Sequence, residues 1–229
     1  MLKRRLKINL YISMYKIEEI QRFNEIKLVF QKNIESSRIT KIIVLSEPND
    51  NITYNHKKVE IFKVENRTSF SDFFEYLDPY AVNIIANNDI DFSTTFNHYN
   101  LAFLSKSDIY CLSRWEYDNV IFRKEEGDSQ DAWIFKGKPK PWKSCSFFMG
   151  MPGCDNRIAY EFYSKGYRVF NPSKSIKTFH IHFSDKRTYT ENNRIQGNYL
   201  NVKPQYLIES VLVKFFMKII SKFYTVEFS

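Results

Sequence analysis

The stretch Val82-Asn-Ile-Ile-Ala-Asn-Asn-Asp-Ile-Asp91 joins an apolar run to an acidic cluster. Its first half, residues 82–86, is typical of a buried strand, and residues 87–91 follow that strand directly. In an open sheet of parallel strands, ligands bind at the carboxyl ends of the strands. We therefore expect the acidic cluster to lie at a ligand-binding edge of a sheet.

Apolar runs and amphipathic segments alternate on the N-terminal side of this stretch. Strands are predicted over residues 8–13, 41–45 and 59–64, and helices over residues 18–32 and 69–77. That alternation is typical of a parallel, doubly wound sheet. The predicted fold class is α/β, a single Rossmann-like domain with a mostly parallel central sheet flanked by helices.

The second half of the chain has shorter apolar runs and more polar loops. Its predicted elements are a helix over 155–165 and strands over 109–114, 120–123, 132–135, 146–149, 167–170 and 176–182. A separate amphipathic helix is predicted over 206–224, so we divide the chain into a catalytic domain, 1–203, and a C-terminal helical segment, 204–229. This helix is expected to pack on the domain, to pair with a second copy as a homodimer, or to lie on a membrane surface with its lysines at the headgroups.

The composition excludes several classes of protein. With 229 residues, 43% hydrophobic content and a net charge of +8, the chain is neither disordered nor a flexible linker. Its three cysteines form no CxxC pair, which argues against a disulfide framework and a structural zinc site. The apolar stretch 8–12 is too short for a secretory signal, and no run approaches the ~18 apolar residues of a membrane span. We expect a cytoplasmic protein that is able to bind a membrane peripherally.

Acidic side chains at a strand end suit a hard divalent cation. Asp89 and Asp91, together with Asn87, are candidates to bind Mg²⁺ or Mn²⁺, which would clamp two phosphate groups of a nucleotide. The alternative is an ordinary turn rich in Asn and Asp. His180 and His182 lie on one face of a predicted strand and are further candidate metal ligands, the alternative being structural hydrogen bonding.

A second group of candidates lies in the stretch Phe148-Met-Gly-Met-Pro-Gly-Cys-Asp-Asn-Arg157. Gly150 and Gly153 would let the backbone approach a ligand closely. Asp155 comes at the start of a predicted helix, whose N-terminus would help to keep its carboxylate ionised. The alternative role of Asp155 is that of an N-cap or first-turn acid.

Read in order, these segments resemble the GT-A glycosyltransferase superfamily over about residues 8–187. The DxD-like motif is Asn87-Asn-Asp89, overlapping Asp89-Ile-Asp91, and the glycine loop is followed by an acid at a helix start. The segment KGYRVFNPS, residues 165–173, then precedes His180. The N-terminal half is also similar to small single-domain glycosyltransferases of bacterial surface-polysaccharide loci and of large DNA viruses. The chain departs from the superfamily at Cys154, where a Glu is usual, and in the first DxD position, which is either Asn87 or Asp89.

The resemblance implies a metal-dependent enzyme of polysaccharide biosynthesis that transfers a sugar from a nucleotide-sugar to a glycan or glycolipid hydroxyl. The DxD acid would hold Mn²⁺ or Mg²⁺, Asp155 would be the catalytic base of an inverting reaction, and His180 would complete the metal or diphosphate site. Asp131 is the second candidate for the base. Loops after the early strands hold the nucleotide in such folds, which adds a set of candidate donor-binding residues. These are Glu47, Arg67, Asp72, Asn87, Gly150 and Gly153.

Two other functions are compatible with parts of the sequence. A nucleotidyltransferase would use the same sheet and metal, but residues 13–24 hold no Gly-rich loop with a basic residue for phosphate. A basic nucleic-acid-binding module would account for the net charge of +8, but the basic residues are spread along the chain instead of clustered. We therefore favour the glycosyltransferase and expect no nucleic-acid partner.

Overall fold

The computed structural model describes residues 6–96, 101–116, 120–139, 143–181 and 193–224, with side chains to residue 218 in the last helix. The strands along these residues are β1 (Ile8–Met14), β2 (Lys41–Ser46), β3 (Val59–Lys63), β4 (Val82–Ala86), β5 (Ile90–Asp91), β6 (Asp108–Leu112), β7 (Ala132–Lys136), β8 (Arg168–Phe170) and β9 (Phe179–His180). The helices are α1 (Ile20–Glu35), α2 (Phe70–Tyr76), α3 (Cys154–Ser164) and α4 (Leu207–Tyr224), with a short 3₁₀ helix at Lys143–Cys145.

Seven of these strands form one sheet in the order β3-β2-β1-β4-β7-β6-β8. Strands β3, β2, β1 and β4 are parallel, and β7 runs antiparallel to its neighbours β4 and β6. Strand β8 is again parallel to β6. The prediction of an α/β fold with a mostly parallel central sheet is therefore confirmed.

Helices cover both faces of this sheet because adjacent residues of a strand point to opposite sides. Leu10 of β1 belongs to a core cluster that includes Ile26 and Phe30 of α1. Its neighbour Tyr11 belongs to a second cluster, formed with side chains of α2 and α3 such as Phe73. The sheet is thus buried on both sides, as its continuous apolar strands indicate.

Three predicted strands differ from the structure. In the predicted strand 120–123, only Ile121 forms a bridge, to Trp115, because the chain turns immediately afterwards with Arg123 at a φ of 47°. In 146–149, a single bridge joins Phe148 to Ser69 before the chain turns at Gly150. The strand predicted over 176–182 is confined to β9 in its described part, and His182 lies outside the described residues. A short apolar run therefore forms a strand only where the backbone stays extended beside a partner for several residues.

Helix α4 is joined to the domain near its N-terminus and at its middle. The backbone N–H of Leu207 donates to Ser175 Oγ at 3.0 Å, and Lys214 Nζ lies 2.8 Å from Asp108 Oδ2 at the start of β6. Within the described residues, no helix is both long enough and apolar enough to cross a membrane. The boundary between domain and C-terminal segment at residues 203 and 204 stays a prediction.

Candidate active site

The ends of three strands meet at one edge of the sheet. Ala86, at the end of β4, pairs with Ala132, and Ala132 also pairs with Leu112 at the end of β6. The backbone N–H of Asn87 donates to the carbonyl of Asp131 at 3.0 Å. This register brings together the residues after β4, the residues after β6 and those before β7, although they are distant in sequence.

Asp89 lies in the turn that links β4 to β5 and contacts two basic side chains. Its Oδ2 accepts a hydrogen bond from Arg22 Nη2 of α1 at 2.5 Å and lies 3.2 Å from His180 Nε2. Burial opposes ionisation, but the contacts with His180 and Arg22 outweigh it and hold the pKa of Asp89 well below its usual range. Asp89 Oδ1 is buried and has no hydrogen-bond partner among the described residues.

His180 connects Asp89 to a second carboxylate. Its Nδ1 lies 3.1 Å from Glu116 Oε2. Burial opposes the charged imidazole, but the contacts with Asp89 and Glu116 prevail and raise the pKa of His180 to about 9. Burial likewise opposes ionisation of Glu116, but His180 and Arg114 lower its pKa to about 2. At neutral pH the imidazole is therefore a cation between two anions.

Arg114 extends this series of charges to Asp131. Its Nε donates to Glu116 Oε1 at 2.7 Å, and its Nη1 donates to Asp131 Oδ1 at 3.1 Å. The guanidinium lies over the ring of Phe122, 4.0 Å from the ring centroid. Positive and negative groups thus alternate along one edge of the sheet. We call this set the charge chain; it consists of Arg22, Asp89, His180, Glu116, Arg114 and Asp131.

The structure separates Asp91 from the charge chain. Asp91 Oδ2 accepts from Lys32 Nζ of α1 at 3.1 Å, and its Oδ1 accepts from the backbone N–H of Ser93 at 2.7 Å. The two acids differ because Asp89 is in a turn, whereas Asp91 lies in β5, where it pairs with Phe179. Of the two DxD-like registers, the one that includes Asn87 and Asp89 faces the charge chain, since the Asn87 side chain donates to Asp131 Oδ1 at 2.9 Å.

The glycine loop brings Asp155 to the same edge of the sheet. Gly153 precedes α3 with a φ of 78°, which glycine adopts without strain, and Asp155 follows in the first turn of the helix. Asp155 Oδ2 accepts from the backbone N–H of Gln130 at 3.2 Å, next to Asp131 in sequence. Burial, and after it the charge of Asp131, raises the pKa of Asp155 to about 7. Backbone N–H groups of Gln130 and Asp155 lower this pKa, in the direction expected at a helix N-terminus, but burial has the larger effect.

Three of the candidate donor-binding residues, Glu47, Arg67 and Gly150, lie where the loops after β2 and β3 meet the glycine loop. Glu47 Oε1, just after β2, accepts from the backbone N–H of Thr68 at 2.9 Å. Arg67 Nη2 donates to the carbonyl of Met149 at 2.9 Å, and Gly150 lies beside it with a φ of 71°. These contacts join the loop after β2 to the loop after β3, and the loop after β3 to the glycine loop.

Asp72 has a structural role in these contacts. Ser69 caps α2, and Asp72 Oδ2 accepts from the backbone N–H of Ser69 at 2.7 Å, which completes a capping box. Its carboxylate is used to begin the helix, so the geometry lends no support to the predicted contact with a nucleotide.

The described residues contain no group of three or more His, Cys, Asp and Glu side chains arranged to hold a metal ion. Among the predicted metal ligands, the structure brings Asp89 and His180 together, leaves Asp91 with Lys32, and does not describe His182. Protein sites for Mg²⁺ commonly supply only one or two carboxylates, and substrate phosphates and water complete them. The buried, unpartnered Oδ1 of Asp89 fits such a site.

Sequence reasoning missed three members of the charge chain, Arg22, Arg114 and Glu116. Arg22 occupies a polar position of an amphipathic helix and lies 67 residues from Asp89, so no local pattern predicts their contact. Arg114 and Glu116 follow β6 and are distant in sequence from both Asp89 and His180. A signal for all three would require knowledge of which loops share an edge of the sheet.

Comparison with solved structures relates this architecture to known folds. No protein-family model and no curated protein sequence matches the chain. The structure is similar to the mannosyltransferase PcManGT from Pyrobaculum calidifontis, solved in complex with GDP-Man and Mn²⁺, with a TM-score of 0.50 and 10% sequence identity. The alignment covers 78% of this chain and 58% of that one. The chain has a GT-A-like fold.

A second solved structure is less similar. It is 4-diphosphocytidyl-2C-methyl-D-erythritol synthase from Anaerococcus prevotii, with a TM-score of 0.46 and 12% identity, covering 83% of this chain and 95% of that one. At these identities the likeness concerns the fold alone. The GT-A-like fold confirms the resemblance stated from the motifs, and the chain spans 58% of the length of the mannosyltransferase.

Proposed function

We propose that this GT-A-like chain is a glycosyltransferase that moves a sugar from a nucleotide-sugar donor to a hydroxyl of a glycan or glycolipid. The observation that carries the proposal is the placement of two carboxylates at one edge of the sheet. Asp89 offers a buried oxygen without a partner, and Asp155 has a pKa close to neutrality. The contact between Asp155 and Gln130 places the second carboxylate beside Asp131, the last member of the charge chain.

Asp155 would act as the base. A general base is most effective when its pKa lies near the working pH, and the pKa of Asp155 is about 7. Its carboxylate would take the proton of the acceptor hydroxyl while that oxygen attacks the anomeric carbon. A base on the side opposite the departing diphosphate implies inversion of the anomeric configuration.

Asp89 would hold the divalent cation, and His180 would join Asp89 as a ligand after the proton of the imidazole is displaced. Phosphate oxygens of the donor would be further ligands. A bound Mn²⁺ or Mg²⁺ supplies charge neutralisation for a nucleoside diphosphate leaving group. Arg22 already lies against Asp89 and adds a positive charge at the same edge of the sheet. The loops at Glu47, Arg67 and Gly150 would bind the rest of the donor, and Asp131, held by Arg114, would position the acceptor.

The test compares three proteins on UDP-, GDP-, CMP- and TDP-sugars, with and without Mn²⁺. They are the wild type, Asp155→Asn, and Asp128→Asn as a control that removes a nearby charge outside the proposed chemistry. We expect Mn²⁺-dependent sugar transfer with inversion by the wild type. Loss of a general base lowers single-turnover transfer about 10²–10⁴-fold, while Asp128→Asn should stay within about threefold of the wild type.

Several results would contradict the proposal. Retention of the anomeric configuration, read by NMR, would reject an inverting base. Release of pyrophosphate without sugar transfer would instead identify a nucleotidyltransferase. Near-normal transfer by Asp155→Asn, with an inactive Asp131→Asn, would assign the base to Asp131.

A further inference from the structure

Helix α4 exposes a continuous apolar surface on the side that faces away from the domain. Six apolar side chains of this helix are between 46% and 61% exposed: Ile208, Leu212, Val213, Phe215, Phe216 and Met217. With about 3.6 residues per turn, these six positions cover an arc of about 200° around the helix. We call this arc the α4 apolar face. Between residues 210 and 218, all of which the structure describes, the arc contains no charged side chain.

The opposite side of α4 is anchored by its polar residues. Lys214 Nζ lies 2.8 Å from Oδ2 of the fully buried Asp108 and donates to the carbonyl of Phe103 at 2.8 Å. Ser210, on the same side, is fully buried and accepts a hydrogen bond from Gln205 at 2.5 Å. A helix that packs on its own domain usually buries its apolar side. Here the domain binds the side that carries Ser210 and Lys214, with Leu207 at the margin of the core, so these contacts hold the apolar face outward.

We propose that the α4 apolar face inserts into the headgroup–acyl boundary of a lipid surface that contains anionic lipid. The face is about twice as wide as the minimum apolar stripe, about 100°, with which a helix packs on a protein core, and this width favours lipid over a second protein. Immersion in a lipid surface covers a wider arc. This inference does not depend on the proposed sugar transfer.

The charge of the chain also favours an anionic surface. Lys218 is exposed and follows Lys214 on the side next to the apolar face, where a long side chain can reach headgroups. The whole chain carries a net charge of +8, which attracts it to anionic lipid. Glu209 is the acidic residue of the first helical turn, and its Oε1 accepts from the backbone N–H of Tyr206 at 2.9 Å, so it serves as a cap at the end of the face.

The experiment is flotation of the full chain with vesicles of phosphatidylcholine and phosphatidylglycerol. The test variant Phe215→Ser/Phe216→Ser removes two aromatic rings from the face, and Tyr80→Ser, at a 90% exposed aromatic residue of another surface, is the matched control. We expect the wild type and the control to float with the vesicles and the test variant to partition at least about tenfold more weakly. Leu212→Ser/Met217→Ser tests the same face independently, and thermal unfolding establishes that each protein is folded.

Sedimentation without vesicles tests whether a second copy of the chain covers the α4 apolar face instead of lipid. A wild-type dimer that Phe215→Ser/Phe216→Ser dissociates, with no vesicle binding by either protein, would assign the face to a second copy of the chain and overturn the proposal. Equal flotation of the wild type and both face variants would also overturn it, since lipid contact would then lie elsewhere.

Discussion

At the scale of single residues, burial and neighbouring charges have opposing effects on the ionisation of the acids at this edge of the sheet. Burial opposes ionisation of both Asp89 and Asp155, but among the described residues only Asp89 has cationic partners, Arg22 and His180. The same sheet edge therefore holds one carboxylate whose pKa lies well below the usual range and one whose pKa is about 7. Such a difference between neighbouring acids is typical of sites that divide binding and proton transfer between them.

The rate of sugar transfer should depend on pH through Asp155. A base must be deprotonated to act, so single-turnover transfer should rise with pH and level off above the pKa of about 7. Because the charge of Asp131 contributes to that raised pKa, Asp131→Asn should shift the inflection of the pH–rate profile to lower pH. An inflection that stays in place in Asp131→Asn would show that the two acids are not coupled.

The two acids of the DxD-like motif should differ in metal-dependent binding. We expect Asp89→Asn to abolish Mn²⁺-dependent binding of nucleoside diphosphate, measured by calorimetry, because an amide provides no charge for the cation. Asp91→Asn is the matched control, since that carboxylate already pairs with Lys32 and should be dispensable for the ligand. Loss of binding in Asp91→Asn as well as in Asp89→Asn would place the metal in the Asp89-Ile-Asp91 register. Replacement of Asp89 by Asn is preferable to Ala because Arg22 and His180 keep a polar partner.

At the scale of elements, the glycine loop determines how α3 presents Asp155. Gly153 needs its positive φ of 78°, and a Cβ there would lie 3.1 Å from Tyr199 Oη and 3.3 Å from Arg194 Nη1. Gly166, beyond the other end of α3, also has a positive φ, of 85°, but a Cβ there would meet no atom within 4 Å. Substitution of either glycine would therefore strain the backbone, but only a Cβ at residue 153 would be crowded by other side chains.

We expect Gly153→Ala to lower both stability and transfer. Backbone strain alone costs about 1–3 kcal/mol, and the crowded Cβ would in addition displace the start of α3 and with it Asp155. Gly166→Ala should show a comparable strain cost in denaturant unfolding but leave transfer by the folded protein unchanged. Equal transfer by both variants would show that the position of the loop does not matter for the chemistry.

At the scale of the whole molecule, the core of the domain is largely complete without α4. The two buried clusters are built from the sheet and from α1, α2 and α3, and α4 contributes Leu207 at the margin of one of them. Its other principal contact is the ion pair of Lys214 with Asp108, a residue that Arg168 also pairs with at 2.7 Å. The buried carboxylate would therefore keep one cationic partner if α4 were removed.

A chain of residues 1–204 should accordingly fold with a single cooperative thermal transition at a lower Tm. The loss reflects the missing Lys214 contact, and hydrogen bonds to charged groups contribute about 1.5–3 kcal/mol each. Lys214→Met in the full chain should reproduce part of this decrease. Absence of a cooperative transition in the shortened chain would make α4 an integral part of the domain and overturn the predicted boundary.

The elements that could be predicted were those with a regular pattern of apolar residues in the sequence. Strand β4 and the acidic residues after it were recognisable because a buried strand is a continuous apolar run in sequence. The proximity of Asp89 to His180 was implied by the resemblance to the GT-A superfamily, and the structure brings the two side chains together. The strand expected over 120–123 was wrong, because the chain turns directly after the single bridge between Ile121 and Trp115.

The amino-acid sequence by itself determined the alternation of strands and helices, the acid at the end of β4 and the glycine loop before Asp155, because each depends on neighbours a few residues away. Only the tertiary structure decided which charges meet: that Arg22 and His180 neutralise Asp89, that Lys32 takes Asp91, and that Lys214 holds α4 with its apolar face outward. Ion pairs and burial depend on distances across the fold, and those distances arise when the strands take their order in the sheet.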